Sequence, residues 1–290
     1  MAFLPDGVLP GSDFYFFTPS EIAVRNLYYF TSVGRFICDN NYRVERDNYG
    51  NYLLLLVESG TMVVKTCGKT YTLNAGEAAF IDCHVPHVYY SVDAVDFIWL
   101  HFKGMNTSFM YEAITSQIYH EPIFKPLNYK QLHKQMINII FTNKYAHYNI
   151  EYRDSLRIYE ILISLLCGTN AKTLVAGQNL SEETASPLVD KVIRFIEEHI
   201  AEDLPVSRLA DYAGLSESHF TRKFRAAMNS SPKEYVIRRR MNRAKFLLKT
   251  TSTPIKEIAF QVGFNSESHF TNTFTALNGM SPKRFRVYKI

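Results

Sequence analysis

The chain has four cysteines, one tryptophan and no long apolar run, and each scarcity excludes a class of protein. Cys38, Cys67, Cys83 and Cys167 stand far apart and form no C-x-x-C pair. That leaves no disulfide frame and no zinc ribbon, and predicts packing thiols in a reducing cytoplasm. The longest apolar stretch of the N-terminal half, Tyr52-Leu53-Leu54-Leu55-Leu56-Val57, falls far short of the ~20 residues of a membrane span. Met1 to Gly11 contain neither a basic segment nor a long apolar core, so no secretory signal is expected. Extremes of charge are lacking too: 47% hydrophobic and 21% charged residues exclude wholesale disorder.

What is present divides unevenly. The 290 residues are long for one core and comfortable for two domains of ~100–200 residues. From Pro187 onward there are 18 Lys and Arg against 10 Asp and Glu, a formal +8, which leaves −4 for the rest of a chain whose total is +4. This is either chance clustering on a solvated surface or a polyanion-binding domain joined to something else.

From about Tyr42 to Phe102 the pattern predicts short strands. Leu53–Val57 is an apolar run, and Cys67-Gly68-Lys69 marks a hairpin within Thr61–Leu73. Asn74-Ala75-Gly76 gives the next turn, and Ala78–Asp82, His87–Val92 and Phe97–Phe102 follow. Such spacing suggests a small antiparallel barrel or sandwich. Two helices are expected next, one on Tyr129, Leu132, Met136 and Ile140, the other on Tyr152, Leu156, Tyr159, Ile163 and Leu166. The second carries a neighbouring apolar face, Ile158, Leu162 and Leu165. That is more than one barrel contact requires, and either a partner subunit or an intradomain core uses the surplus. If a partner does, a charge at Leu162 or Leu165 dissociates a dimer without unfolding the barrel. The expected division is a strand-rich domain with two trailing helices over 1–168, a small polar linker over 169–186, and an all-helical domain over 187–290.

The helical domain contains a repeat. Pro205-Val206 to Leu215 matches Pro254-Ile255 to Phe264, and Glu217-Ser218-His219-Phe220-Thr221 matches Glu267-Ser268-His269-Phe270-Thr271. Phe224 pairs with Phe274, Ser231-Pro232-Lys233 with Ser281-Pro282-Lys283, and Tyr235 with Phe285. Each copy reads as a short helix ending at glycine, a tight turn, a second helix, and a Ser-Pro start to a third. This is a helix-turn-helix written twice, and Tyr235–Lys249 between the copies predicts one long basic helix able to hold them about one DNA turn, ~34 Å, apart. Phe220, Phe224 and Ala227 are expected to face the core, as are Phe270, Phe274 and Leu277. His219 and His269 read as core or capping groups. The opposite face offers Ser218, Thr221, Arg222 and Arg225, then Glu267, Ser268, Thr271, Asn272 and Thr275. Glu217 and Glu267 stay ambiguous, since a carboxylate accepts from cytosine N4 or repels phosphate.

Residues 187–290 resemble the DNA-binding domain of the AraC/XylS family of bacterial transcription regulators. The resemblance rests on A-x-x-A-G-L-S at Ala210–Ser216, His219-Phe220 with Phe224, Ser231-Pro232 with Tyr235, Arg240-Met241 with Ala244, and the run from Ile258 to Phe274. It implies double-stranded DNA as partner, RNA polymerase as a second partner, and base contacts from Ser218, Thr221, Arg222, Arg225, Glu267, Ser268, Thr271 and Asn272.

Tyr52–Phe102 resembles the cupin-like sensor domain attached to many such regulators, through Glu58-Ser59-Gly60, Tyr71 to Glu77, Val85 to Tyr89 and Trp99 to Phe102. Metal-dependent cupins need an H-x-H pair, a glutamate and a later histidine. Thr61–Thr66 offers no imidazole, and His84 with His87 are too few, so neither a metal nor a cofactor is expected. In the arabinose-responsive member an arginine, a histidine, a tyrosine and a tryptophan contact the sugar; by position these fall on Arg46, His87, Tyr89 and Trp99. The resemblance implies a dimeric, cytoplasmic, ligand-responsive regulator, an activator of carbohydrate-utilisation genes; a ligand held in the barrel is expected to pin a mobile N-terminal segment, including Phe14-Tyr15-Phe16-Phe17, across the pocket mouth. The alternatives are the same regulator with a non-sugar effector, such as a lipid or host signal, and a cupin-type sugar-modifying enzyme.

Overall fold

The computed structural model describes residues 4–145, 151–167, 187–228 and 230–287, which fall into two compact units. The expected linker, 169–186, lies outside the described residues. Among those described, no helix is long and apolar enough to cross a membrane.

The first unit is built from two antiparallel sheets. One has six strands in the order β1 (Asp13–Phe16), β2 (Tyr29–Cys38), β9 (Val95–Lys103), β4 (Tyr52–Ser59), β7 (Ala78–Asp82) and β10 (Ile123–Phe124). The other has four, β3 (Arg43–Arg46), β8 (His87–Ser91), β5 (Thr61–Thr66) and β6 (Lys69–Asn74). The six-stranded sheet is covered on both faces, which is why its central strand β4 is continuously apolar where an ordinary edge would alternate. Alternation still decides which side chain goes where. On β9, Ile98, Leu100 and Phe102 belong to the outer core, while Phe97, Trp99 and His101 take the opposite face.

The outer core lies under two helices, α3 (Tyr129–Tyr145) and α4 (Glu151–Cys167). Leu132, Met136 and Ile140 of α3 pack there with Ile158, Ile161, Leu162 and Leu165 of α4. Leu162 and Leu165 are therefore intradomain core, not a partner surface. It is the other stripe of α4, Tyr152, Leu156 and Tyr159, that remains 40–49% exposed. The α4 start is stapled to a short helix α1 (Glu21–Asn26): Ser20 donates through its N–H (2.7 Å) and Oγ (2.5 Å) to the Glu151 carboxylate, and Tyr28 N–H donates to Ser155 Oγ. A further helix α2 (Thr107–Glu112) runs into a π-helical turn at Ala113–Ile118.

Three expectations are corrected in this unit. Phe14-Tyr15-Phe16-Phe17 is no mobile flap. Asp13–Phe16 is registered on β2 from Asp13 against Arg35 to Phe16 against Ser32, with Phe14, Phe16 and Phe17 buried. Burying three phenylalanines and pairing four residues outweighs the chain entropy of ordering the segment. The second correction is the α4 face just described. Third, Cys67 is exposed, because it sits in the two-residue β5–β6 turn; Cys38 and Cys83 are buried.

The second unit is helical throughout. α5 (Pro187–Glu198) supplies Val189, Val192, Ile193 and Ile196 to a core shared with α6 (Val206–Ala213) and α7 (Glu217–Met228). α8 (Pro232–Thr250) follows, then α9 (Ile255–Gln261), α10 (Glu267–Asn278) and α11 (Pro282–Val287). Ser231 opens α8 with a full capping box to Glu234, and Pro232 takes the first helical position, where its missing N–H costs nothing.

Candidate functional site

Each copy of the repeat folds as a helix-turn-helix because of its turn. Gly214 caps α6 in the left-handed region (φ +67°), its N–H on the Ala210 and Asp211 carbonyls, and Leu215 N–H returns to Ala210. In the second copy Gly263 (φ +89°) does the same work under tighter limits. A Cβ there would lie 2.6 Å from the Ile200 carbonyl, so glycine is required twice over. Ser266 then caps α10 by accepting from His269 N–H, and Ser216 accepts from His219 N–H at 3.4 Å.

The faces separate largely as expected. Phe220 and Phe224 are buried on α7, and Phe270 and Phe274 on α10. Ala227 is exposed, however, and Met228 fills the core position, since the buried stripe steps by four residues. Leu277 is also exposed: Phe274 already meets Phe285 edge-on at 5.4 Å, and the last turn of α10 runs past that contact. His219 is half-buried; His269 is an exposed ring whose edge meets Phe264, so it is not a core group.

Ser218, Arg222 and Arg225 are exposed and Thr221 is half-buried. Together with Glu217 they line a surface concavity of about 460 Å³. Arg222 makes no hydrogen bond or ion pair among the described residues. On α10, Glu267, Ser268, Asn272 and Thr275 are exposed, Thr271 is half-buried, and Thr275 Oγ1 donates back to the Thr271 carbonyl. Lys223, exposed on α7, is a further cation that the sequence comparison of copies passes over.

The long helix α8 uses its arginines internally. Arg239 donates to Glu197 at 2.5 Å, Arg240 to the Ile200 and Glu202 carbonyls, and Arg238 to Ser230 Oγ. Three arginines of the long basic helix are thus tied to neighbouring segments of their own unit, Arg239 to α5 itself.

In the first unit the four residues singled out from sequence are all buried on the inner faces of the two sheets. The register places Arg46 beside His87 and His87 beside Thr66, with Val44, Tyr89 and Val64 forming the next row. Opposite, Ser32 pairs with His101, and Gly34 with Trp99. A Cβ on Gly34 would stand 2.6 Å from the Trp99 ring, so this glycine is the floor on which the indole lies. The two sheets meet through a chain of rings: the Arg46 guanidinium lies 4.1 Å over Tyr49, Tyr49 is 4.8 Å from His101, and His101 is 5.6 Å from Trp99. His87 and Tyr89 stack 6.3 Å apart on the other wall. The far end of the interior is aromatic, with Phe36 in edge contacts with Phe14, Tyr42 and Phe97, and Tyr42 tilted against Phe97.

His101, Tyr49, Asn51 and Ser32 are members that sequence reasoning missed. His101 had a signal: it stands two residues after Trp99 and so shares its face. Tyr49 and Asn51 lie between strands, where no periodicity points inward.

Electrostatics make this a neutral cluster around one cation. Burial opposes the charge on Arg46, but the phenols of Tyr89, Tyr49 and Tyr42 and the Cys83 thiol more than offset it. Burial pushes Tyr89 up to about 12 and Cys83 to about 12, Arg46 pulling each partly back. His87 lies below its ordinary value through burial and the charge of Arg46, and His101 lies far below through burial, Arg46 and His87. His101 Nδ1 donates to Asn51 Oδ1 (3.0 Å) and His87 Nδ1 to the Val85 carbonyl (2.8 Å), which leaves each Nε2 an acceptor. Buried His87 Nε2, Trp99 Nε1 and Ser32 Oγ have no hydrogen-bond partner among the described residues. Among the described residues no group of three or more His, Cys, Asp or Glu is placed to hold a metal ion.

A pH expectation follows. An imidazole held below 6.5 in the fold is protonated first in the unfolded chain, so its contribution is present above about 6.5 and is lost as pH falls toward the folded value. Asp154 has the opposite sign. Burial raises its carboxyl from 3.8 to about 7, and its contribution, full below 3.8, is lost as pH rises through about 7. In an NMR titration the His101 ring signals should stay flat until well below 6.5; a midpoint near 6.5 would contradict this burial.

The family model for an AraC-like ligand binding domain matches residues 29–141, and that for a helix-turn-helix domain matches 209–287. LumQ of Photobacterium leiognathi, a probable transcriptional regulator, is 30% identical over 132 residues, 46% of this chain and 50% of LumQ, so the match spans half of that relative's length. The Msm operon regulatory protein of Streptococcus mutans is 25% identical over 236 residues, 79% of this chain and 81% of its own. The HTH-type transcriptional activator RhaS of an Enterobacter species is 23% identical over 217 residues, 73% of this chain and 76% of its own. With a ligand-binding sheet domain ahead of a doubled helix-turn-helix, the chain belongs to the AraC/XylS family and is a ligand-responsive, DNA-binding transcription regulator.

Proposed function

We propose that this regulator senses a small polyhydroxylated compound, a sugar, through Arg46, His87, Tyr89 and Trp99. It acts in the cytoplasm as a homodimeric activator of carbohydrate-utilisation genes, with RNA polymerase as partner. One observation carries the effector reading: a buried acceptor at His87 Nε2 and a buried donor at Trp99 Nε1 stand unpaired near a guanidinium. Each such group costs about 1–3 kcal/mol unless a ligand satisfies it. A hydroxyl both donates and accepts, so a polyol meets this mixed set, and the indole face suits the C–H side of a sugar ring. Activation takes support from the relative named as a transcriptional activator. For the dimer surface the exposed Tyr152–Leu156–Tyr159 stripe of α4 now stands in place of Leu162 and Leu165.

A second reading keeps the regulator and replaces the sugar by an amphipathic effector. The aromatic half of the interior, with Phe14, Phe36 and Phe97, favours it. A thermal-shift screen of the full chain against sugars, sugar acids and fatty acids separates the two. Stabilisation by sugars alone upholds the first reading, and by fatty acids alone the second.

On the DNA side, Ser218, Thr221, Arg222 and Arg225 of α7 and Ser268, Thr271 and Asn272 of α10 are proposed to face the major groove. Affinity should fall steeply with salt as phosphate contacts release counterions. Arg222→Ala should cost about 1–3 kcal/mol at one base position and relax preference there. Equal weakening on every sequence would make Arg222 a phosphate contact.

A further inference from the structure

The two recognition helices are near-copies in sequence, yet they differ in charge. α7 carries Arg222, Lys223 and Arg225 against Glu217, whereas Glu267 is the single Lys, Arg, Asp or Glu on α10. Glu217 and Glu267 hold the same repeat position, the first residue of their helices, and both are exposed. Their surroundings are not the same. Glu217 lines the concavity with Arg222 and Arg225, so whatever it repels is attracted by two cations alongside. Glu267 has no cation on its own helix and no ion pair among the described residues. The remaining exposed polar groups of α10, Ser268, His269, Asn272 and Thr275, include no Lys or Arg.

An isolated carboxylate on a helix aimed at DNA meets one of two environments. Against a cytosine N4 amino group it accepts a hydrogen bond; against a phosphate, or a base edge that offers only acceptors, it is repelled. With no Lys or Arg on the helix, little there hides the repulsion or adds attraction to a wrong site. We propose that Glu267 is the discriminating residue of the second helix-turn-helix unit. It rewards cytosine at one position of its half-site and penalises all other registers, while the first unit supplies the charge that holds the duplex. This rests on the DNA-binding assignment of the doubled motif. Asn272, able to pair with adenine N6 and N7, is the natural neighbour contact on the same helix.

Glu267 also sits where a negative charge favours the start of its own helix, so a merely structural role has to be separated. The test uses the full chain and two probes: a random-sequence duplex pool, and the duplex recovered from that pool by selection with the unmodified protein. Glu267→Gln keeps the side-chain size and removes the charge. It should bind the random pool about threefold or more tightly at low salt, the gain fading as salt screens it. Its preference for the selected duplex over the pool should shrink about tenfold, and a selection with the variant should lose one cytosine position. Glu217→Gln should change the pool affinity by less than about twofold, because Arg222 and Arg225 already dominate there. Equal effects of the two substitutions would overturn the proposal. So would Glu267→Gln weakening both probes in proportion with a lowered Tm, the signature of a helix-start role. If the unmodified chain neither bound the pool nor enriched any duplex from it, the DNA-binding assignment itself would fail, a result distinct from either.

Discussion

Leu162→Asp should unfold the sensor unit, while Leu156→Asp, one turn and a half away, should leave it folded. Leu162 is fully buried, packed in the outer core with Ile158, Ile161, Leu165 and Met136 beneath the six-stranded sheet. Losing a buried leucine costs about 2–5 kcal/mol, and a carboxylate in its place has no partner there, which adds several more. The sum approaches the whole stability of a domain, ~5–15 kcal/mol. Leu156 is 49% exposed, so charge there should cost far less than at Leu162, whereas Tyr159, 46% exposed, also stacks on Tyr28. If α4 is the dimer contact, Leu156→Asp instead yields a folded monomer. Urea unfolding followed by the single tryptophan, Trp99, reads the first effect, and sedimentation reads the second. A folded, monomeric Leu162→Asp protein would return that face to the partner and refute the packing described.

Arg46→Met should abolish the effector response and leave DNA binding by the second unit intact. Methionine keeps most of the stem volume and its fit between Tyr49 and Tyr89 while removing the charge. A charge-assisted hydrogen bond to a ligand is worth about 1.5–3 kcal/mol, so effector affinity should drop at least about tenfold. An effect independent of any ligand accompanies it. Part of what holds His101 and His87 low is the guanidinium's charge, so both imidazoles should titrate at higher pH in the variant. Trp99→Phe should keep the fold and weaken effector binding, because the indole N–H is lost while a ring still rests on Gly34. An intact response in both variants would leave the inner cluster as packing and remove it as a sensor. Unmoved histidines would show that Arg46 does not face them.

Sequence alone determined the doubled helix-turn-helix of the helical unit. The repeat states its turns, its caps and its aromatic cores twice, and local chemistry is enough to decide each: glycine where φ must be positive, serine before proline where a helix begins. It also determined the strands between Leu53 and Phe102, while the inward side of Trp99 followed only from the family resemblance. What periodicity leaves open is what each face meets. α4 has two apolar stripes, and only the competing areas of sheet and solvent decided that Ile158, Leu162 and Leu165 go inward. The aromatic run Phe14–Phe17 has the same composition whether it flaps or pairs; β2, more than a dozen residues away in sequence, decided that it pairs. The sequence marks α8 as a basic helix, and only the fold brings the Arg240 guanidinium beside the carbonyls of Ile200 and Glu202. His101 joins Arg46 only because two sheets close on one another. All four outcomes depend on surfaces distant in sequence, where the free energy of burial is settled by the partner a residue finds and not by the residue alone.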